Sequence, residues 1–358
     1  MALNPSLAIS LAGATAGQSI ALELGLGTTT QISLNDTAVR TLAGVPTGAI
    51  VMPTNFWGKS NFTPTLKAIF GFGNPSYSVP VSTTNLVSNT GVVATNTAGV
   101  GTGRSALAAA GYGGDKAIFS YGADDWSFYL TTNLVSNTGV VATDTAGVGT
   151  GRSALAAAGY GGDKAIFGFG YTTNTNVITN LVSNTGVVST DVTGVGTIRQ
   201  SLAAASYGGG KAIFGFGYTT NTNVSTTNKV SNTGVVASDT AGVGTARYGL
   251  AAAGYGGDKA IFGFGLKVVG YGGAYVSMTN LVSNTGVVAT DTTGVGSTRY
   301  ALAAAGYGGD KAIFGFGEGP MNATAITNKV SNTGVVAADT AGVGTARLGL
   351  AAAGYSLT

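Results

Sequence analysis

The side chains able to do chemistry in this chain are few, and two kinds are absent. There is no His and no Cys. That removes Ser-His-Asp and Cys-His nucleophilic catalysis, any His- or Cys-ligated metal, and disulfides. Carboxylates remain. Asp124 and Asp125 are adjacent, and neighbours in an extended segment point to opposite faces, so they read as solvated charges rather than an acid/base pair. Asp144, Asp191, Asp239, Asp291 and Asp339 recur without calcium-loop spacing. Gly99-Val-Gly-Thr-Gly103 has no following Lys or helix to cradle a phosphate. The expectation is a protein that is not an enzyme and carries no cofactor or metal. What is left is recognition by flat rings: Tyr77, Trp126, Phe128, Tyr129, Tyr171, Tyr218, Tyr271 and Tyr275, with Lys267 in the same segment as the last two. Aromatic rings among polar neighbours stack on sugars or on a protein partner.

These candidates sit in a glycine-rich, weakly charged chain. Of 358 residues, 60 are Gly and only 9% are charged, while 44% are apolar, too many for a disordered linker. The net charge of +3 is scattered, with no basic run, so no nucleic-acid partner is expected. No run of about 18 apolar residues occurs, so no membrane span is expected. The first residues lack a Lys or Arg ahead of their apolar segment, so a secretory signal is not expected.

A repeat positions everything else. Lys-Ala-Ile-Phe begins at Lys67, Lys116, Lys164, Lys211, Lys259 and Lys311. Val-Ser-Asn-Thr-Gly begins at Val87, Val135, Val182, Val230, Val282 and Val330. Arg-x-x-Leu-Ala-Ala-Ala begins at Arg104, Arg152, Arg199, Arg247, Arg299 and Arg347. Each unit reads as four short strands. In one copy they are Leu250 to Tyr255, Lys259 to Gly265, Thr279 to Ser283 and Val287 to Thr290. Gly256-Gly257-Asp258 and Asn284-Thr285-Gly286 are the turns. Phe262 and Phe264 are expected on one face of the second strand and Ile261 on the other, both covered. The alanine run competes as a helix, but seven residues ending in glycines are too short to hold one.

Four strands per roughly 48 residues is the blade of a β-propeller. Arg247-Tyr-Gly-Leu-Ala-Ala-Ala-Gly-Tyr-Gly-Gly-Asp-Lys-Ala-Ile-Phe-Gly-Phe-Gly265 resembles the blades of kelch and galactose-oxidase-type propellers, although the Trp that ends a kelch blade is missing throughout. The copper chemistry of galactose oxidase needs His and a Tyr–Cys crosslink, so that activity does not carry over. The chain enters the repeats on a second strand at Lys67 and leaves on a first strand at Tyr355. The two orphans can complete one another, giving five continuous blades and one composite. The expected fold is all-β: a six-bladed propeller over 67–358, closed by its terminal strands, with a small α+β head over 1–66. Closure removes the edge strands that would otherwise aggregate.

In the head, Ile20, Leu22 and Leu24 alternate as a strand would, and Asp36 to Ala43 reads as a short helix stopped by Gly44. Ile32-Ser-Leu-Asn-Asp-Thr-Ala-Val-Arg-Thr-Leu-Ala-Gly44, with Gly48-Ala-Ile and Phe56-Trp-Gly-Lys-Ser60, resembles a module common at the ends of phage tail-associated proteins. The resemblance implies a component of a virion tail, baseplate or fibre, assembled in the host cytoplasm. Residues 1–66 would then contact other tail proteins, and homo-oligomerisation on the tail stays open.

The segments between the second and third strands differ from blade to blade, while the rest barely does. The two 35-residue stretches 85–119 and 133–167 differ at one position, Asn96 against Asp144. A constant scaffold carrying divergent loops divides labour between framework and binding surface. Strand direction places those loops on one face with the inter-blade crossings and places both tight turns on the other. Two functions follow: a tail appendage whose loops bind a host glycan or protein or a neighbouring tail protein, or a free-standing lectin or adhesin.

Overall fold

The computed structural model describes residues 11, 18–24, 32–45, 47, 49–52, 66–75, 79–172, 177–269 and 272–356. The chain divides into two compact units, Met1–Thr63 and Pro64–Thr358.

In the first unit the described residues form two short helices, α1 (Ile20–Glu23) and α2 (Thr37–Ala43). The strand expected at Ile20 to Leu24 is a helical turn instead: the Glu23 N–H donates to Ser19 O and the Leu24 N–H to Ile20 O. Three alternating apolar residues fit one helical turn as readily as a strand, and Ala, Leu and Glu favour the helix. α2 ends as expected at Gly44, whose φ of 71° is the left-handed conformation glycine adopts freely. Ile20, Val39, Leu42 and Ala43 form the core.

The second unit is all-β and propeller-like. Blade one pairs the inner strand Ala351–Tyr355 with the middle strand Lys67–Gly71 and the outer strand Thr84–Val87, so the two chain ends share one sheet. Blades two to six repeat this order continuously. Their inner strands are Ala108–Tyr112, Ala156–Tyr160, Ala203–Tyr207, Ala251–Tyr255 and Ala303–Tyr307. Each inner strand lies against the next, and Ala351–Tyr355 against Ala108–Tyr112, which closes the cycle.

Two rings of backbone hydrogen bonds fasten the inner ends. At one end the N–H of Ala106 donates to Gly349 O, Gly349 to Ala301, Ala301 to Gly249, Gly249 to Ser201, Ser201 to Ala154, and Ala154 to Ala106, all at 2.7–2.8 Å. At the other end the tight turns link the same way, from Gly113 to Asp163 round to Ser356 and Asp115.

Two expectations are corrected here. The fourth strand of each blade is reduced to isolated bridges, as at Val282 with Val288 and Thr279 with Thr292; only in blade three does it lengthen, to Val192–Thr193. Between those bridges Asn280 Nδ2 donates to Ala289 O, and an Asn makes the equivalent bond in all six blades. Phe262 and Phe264 also do not share a face. Phe264 has φ of 64°, which turns its ring from the Phe262 side to the Ile261 side, against Phe314 of the next blade. The equivalent ring is turned the same way at Phe72, Tyr121, Phe169, Phe216 and Phe316. Such strain persists only where surroundings over-determine it. Here the next strand and a buried Arg both bond this residue's backbone.

Candidate functional site

Beneath the loops lies a layer that recurs from blade to blade, reduced at Arg299 to its bond with Asn328. In blade five the buried Arg247 donates from Nε to Phe264 O at 2.8 Å, from a terminal nitrogen to Thr245 O at 3.0 Å, and from the other to Asn280 Oδ1 at 2.7 Å. Asn280 Nδ2 donates to Asp291 Oδ1 at 2.9 Å, and Asp291 Oδ2 accepts from Thr245 Oγ1 at 2.6 Å. The guanidinium lies 4.4 Å from the Phe216 ring centroid of blade four. Burial pulls Arg247 down to about 10, with Asp291 opposing, so it stays charged at neutral pH. Burial would raise the Asp291 carboxyl, but bonds from Thr245 and Asn280 outweigh it and hold it below the usual range. The Arg and Asp of this latch bond to one another's partners within the framework and are structural. Among the described residues no group of three or more His, Cys, Asp or Glu could hold a metal.

Blade one departs from the pattern. Asn96 stands where the other blades have Asp, and its amide donates to Thr345 Oγ1 at 2.7 Å. Arg347 keeps its bonds to Phe72 O and Asn85 Oδ1, but burial alone pulls it down to about 10, with no carboxylate opposing.

The varied loops emerge above this layer, on the face of the crossings. A Cβ on Gly103 would meet Pro80, and one on Gly151 would meet Phe128. The opposite face holds both turns: Asn137 Nδ2 donates to Asp115 at 3.1 Å and Asn284 Nδ2 to Asp258 at 3.0 Å.

Of the expected ring residues, Tyr77 and Tyr271 lie outside the described residues. Trp126 is 91% exposed. Its loop is shaped by Asp124, which accepts the N–H groups of Trp126 and Ser127 and the Tyr129 hydroxyl. The Tyr129 hydrogen bond is the main cause holding the Asp124 carboxyl below its usual range. Phe128 packs edge-on against Tyr171 of blade three, centroids 5.7 Å apart. A second cluster forms elsewhere on this face. Tyr218 is 5.6 Å from Tyr248, Tyr248 6.4 Å from Tyr300, and Tyr300 5.4 Å from Tyr275. Tyr275 donates to Glu318 Oε1 at 3.4 Å. Lys267 lies in the hairpin Leu266–Val269 with Gly272–Tyr275, paired with Ala274.

Sequence reasoning missed Tyr248 and Tyr300. They precede the axial ring of hydrogen bonds, in the series Ser105, Ser153, Gln200, Tyr248, Tyr300, Leu348. Each of these pairs with a residue at the base of a varied loop. The signal was the variable pair inside Arg-x-x-Leu, the one part of that string that changes. Gly249 leaves room for the neighbour, since a Cβ there would sit 2.8 Å from the Tyr300 ring.

No family model matches the chain, and no curated protein does. The solved structure of YjhT is similar with a TM-score of 0.56 and 12% identity, over 71% of this chain and 90% of that one. At that identity the likeness shows the fold alone, consistent with the propeller-like all-β architecture.

Proposed function

We propose that this protein is a structural component of a phage tail. In this reading residues 1–66 hold it to neighbouring tail or baseplate proteins, and the loop face of the propeller, without catalysis, binds a host-surface receptor or an adjoining virion protein. The head supports the first half through its resemblance to tail-associated modules. The second half rests on one observation: six near-identical blades carry loops that differ, and the Trp126 loop presents a large ring almost wholly to solvent on a backbone pinned by Asp124. A pinned, exposed Trp gives contact area at little ordering cost, and Trp and Tyr dominate binding hot spots.

Two measurements test this. Purified virus particles should contain the protein; its absence from them would remove the tail assignment. Trp126→Ala with Phe128→Ala should weaken attachment to host cells or to the adjoining tail protein by about 2 kcal/mol, roughly thirtyfold, with the melting temperature nearly unchanged. Undiminished attachment would refute the role of this loop.

A further inference from the structure

The loop face holds a groove in blade five, apart from the Trp126 loop. It is an open depression with a volume of about 490 Å³. One wall is Tyr275, Ser277 and Met278, from the end of the hairpin; the other is Asp291, Thr293 and Thr298, from the crossing into blade six. Tyr275 is braced from behind by Tyr300 and by its bond to Glu318, so its ring is fixed. Gly294 packs against Ser277, where any Cβ would come within 2.2 Å of the hydroxyl, so the crossing can close on the loop only with glycine there.

Charge sorts the occupant. The loops of this face carry Asp124, Asp125 and Glu318 against the single Lys267, and Asp291 adds a carboxylate to the groove itself. Asp291 is already committed to Thr245 and Asn280, so it acts on an occupant through its field rather than as a direct partner. The buried Arg247, 3.9 Å away, balances that field, and no Lys or Arg lines the groove, so nothing in it would neutralise an anionic ligand, which disfavours one. The lysines lie elsewhere: those opening each middle strand follow the tight turns, and Lys229 and Lys329 reach the turn carbonyls of Thr285 and Thr90. A braced tyrosine ring offers an apolar platform, and Ser and Thr hydroxyls offer donors and acceptors at its rim. That pairing matches a pyranose ring, with an apolar C–H face and hydroxyls around the edge.

We propose that this groove takes a neutral hexopyranose residue of a surface glycan, stacked on Tyr275 and held at its rim by Ser277, Thr293 and Thr298. The inference rests on the reading of the loop face as the attachment surface, and it names the class of target.

The test uses the full chain on an array of neutral oligosaccharides (maltotetraose, chitotetraose, a β-galactotetraose) and acidic ones (tetragalacturonate, sialyllactose), alongside attachment to host cells. The expected result is binding to a neutral oligosaccharide only. Tyr275→Ala should weaken it at least about tenfold and Tyr275→Phe should largely keep it. Thr293→Trp, at an exposed position, should fill the groove and abolish binding without lowering the melting temperature. Binding confined to acidic sugars, no binding to any of the five, or binding unaffected by Tyr275→Ala and Thr293→Trp would each overturn the assignment. The two readings fail separately: cell attachment that persists without glycan binding points to a protein receptor and overturns only the glycan, whereas loss of all attachment by the unmodified protein overturns the loop-face reading itself.

Discussion

The turn face and the loop face are the two ends of the same strands, and they spend their polar groups differently. On the turn face the turn side chains bond within their own copy, while the turn backbones, Lys229 and Lys329 link one copy to another. Ser283 Oγ accepts the N–H groups of Thr285 and Val287 and meets the Thr285 hydroxyl, and Asp258 holds Lys259 and Asn284. Those contacts allow little change, and the six copies are nearly identical. On the loop face the shared hydrogen-bonded layer lies one step down, in the latch of buried Arg and Asn. Above it, a loop needs only its base residues to be bonded, as Leu266 is to Tyr248. The difference teaches where variation is tolerated: outside the hydrogen-bonded latch, not simply at the surface. It also explains how an eleven-residue segment and a hairpin can occupy equivalent places without disturbing the ring.

The largest expected effect breaks the frame that both faces share. Deleting Leu348–Thr358 removes the inner strand of blade one and one member of each axial ring, Gly349 and Ser356. The shortened chain should lose cooperative unfolding near the full-length melting temperature. A melt matching the full chain would show that the ring does not depend on its seam.

Next comes the latch against the turns. Arg247→Met should cost about 3–5 kcal/mol in denaturant unfolding, because it strands Asp291 and Asn280 beneath the loops. Lys259→Met removes only an exposed ion pair and should cost less than about 1 kcal/mol. Similar losses from both would erase the distinction between the two ends.

Acid should separate the blades in a defined order. Asp144, Asp191, Asp239, Asp291 and Asp339 are all held below the usual carboxyl range; burial raises each, and bonds from the crossing and the Asn outweigh it. A depressed folded-state value gives stability that is full above the unfolded value of about 3.9 and is lost as pH falls through the folded one. Below that point hydrogen exchange should rise in crossings 97–103, 145–151, 193–198, 240–246 and 292–298. Crossing 340–346 should hold, because it rests on Asn96, which does not titrate. Uniform exchange across all six would contradict this order.

The smallest effect is on the constant face. Asp115→Asn with Asp163→Asn should shift stability by less than about 1 kcal/mol and leave attachment unchanged. Loss of attachment in that variant would move the binding surface to the turn face.

Much of the framework was legible because repetition averages out local ambiguity. One Arg-x-x-Leu-Ala-Ala-Ala could be read as a helix; six copies at blade spacing, each followed by Gly or Ser and then Tyr, pointed to strands, and strands they are. The head offers no such averaging, and there Ile20, Leu22 and Leu24 misled. The site was legible only in part. Loop divergence located the face, and Trp126 proved exposed. Yet Tyr248 and Tyr300 were hidden inside a constant-looking string, because their importance comes from rings of neighbouring blades and loops.

By itself the sequence determined what is periodic: the strand order, the turn chemistry, the glycine positions and the complementary phase of the two ends. These depend on local patterning and on contacts that recur at a fixed spacing, which a repeated string displays directly. Only the tertiary structure decided what is not periodic. The positive φ at Phe264 is imposed by Arg247 and the adjoining strand, and it sends the ring to the opposite face. The fourth strand is reduced to bridges that flank an Asn side chain bonded to a backbone carbonyl. The meeting of Tyr218, Tyr248, Tyr300 and Tyr275 belongs to three blades brought side by side, because the ring closes distances that no spacing along the chain records.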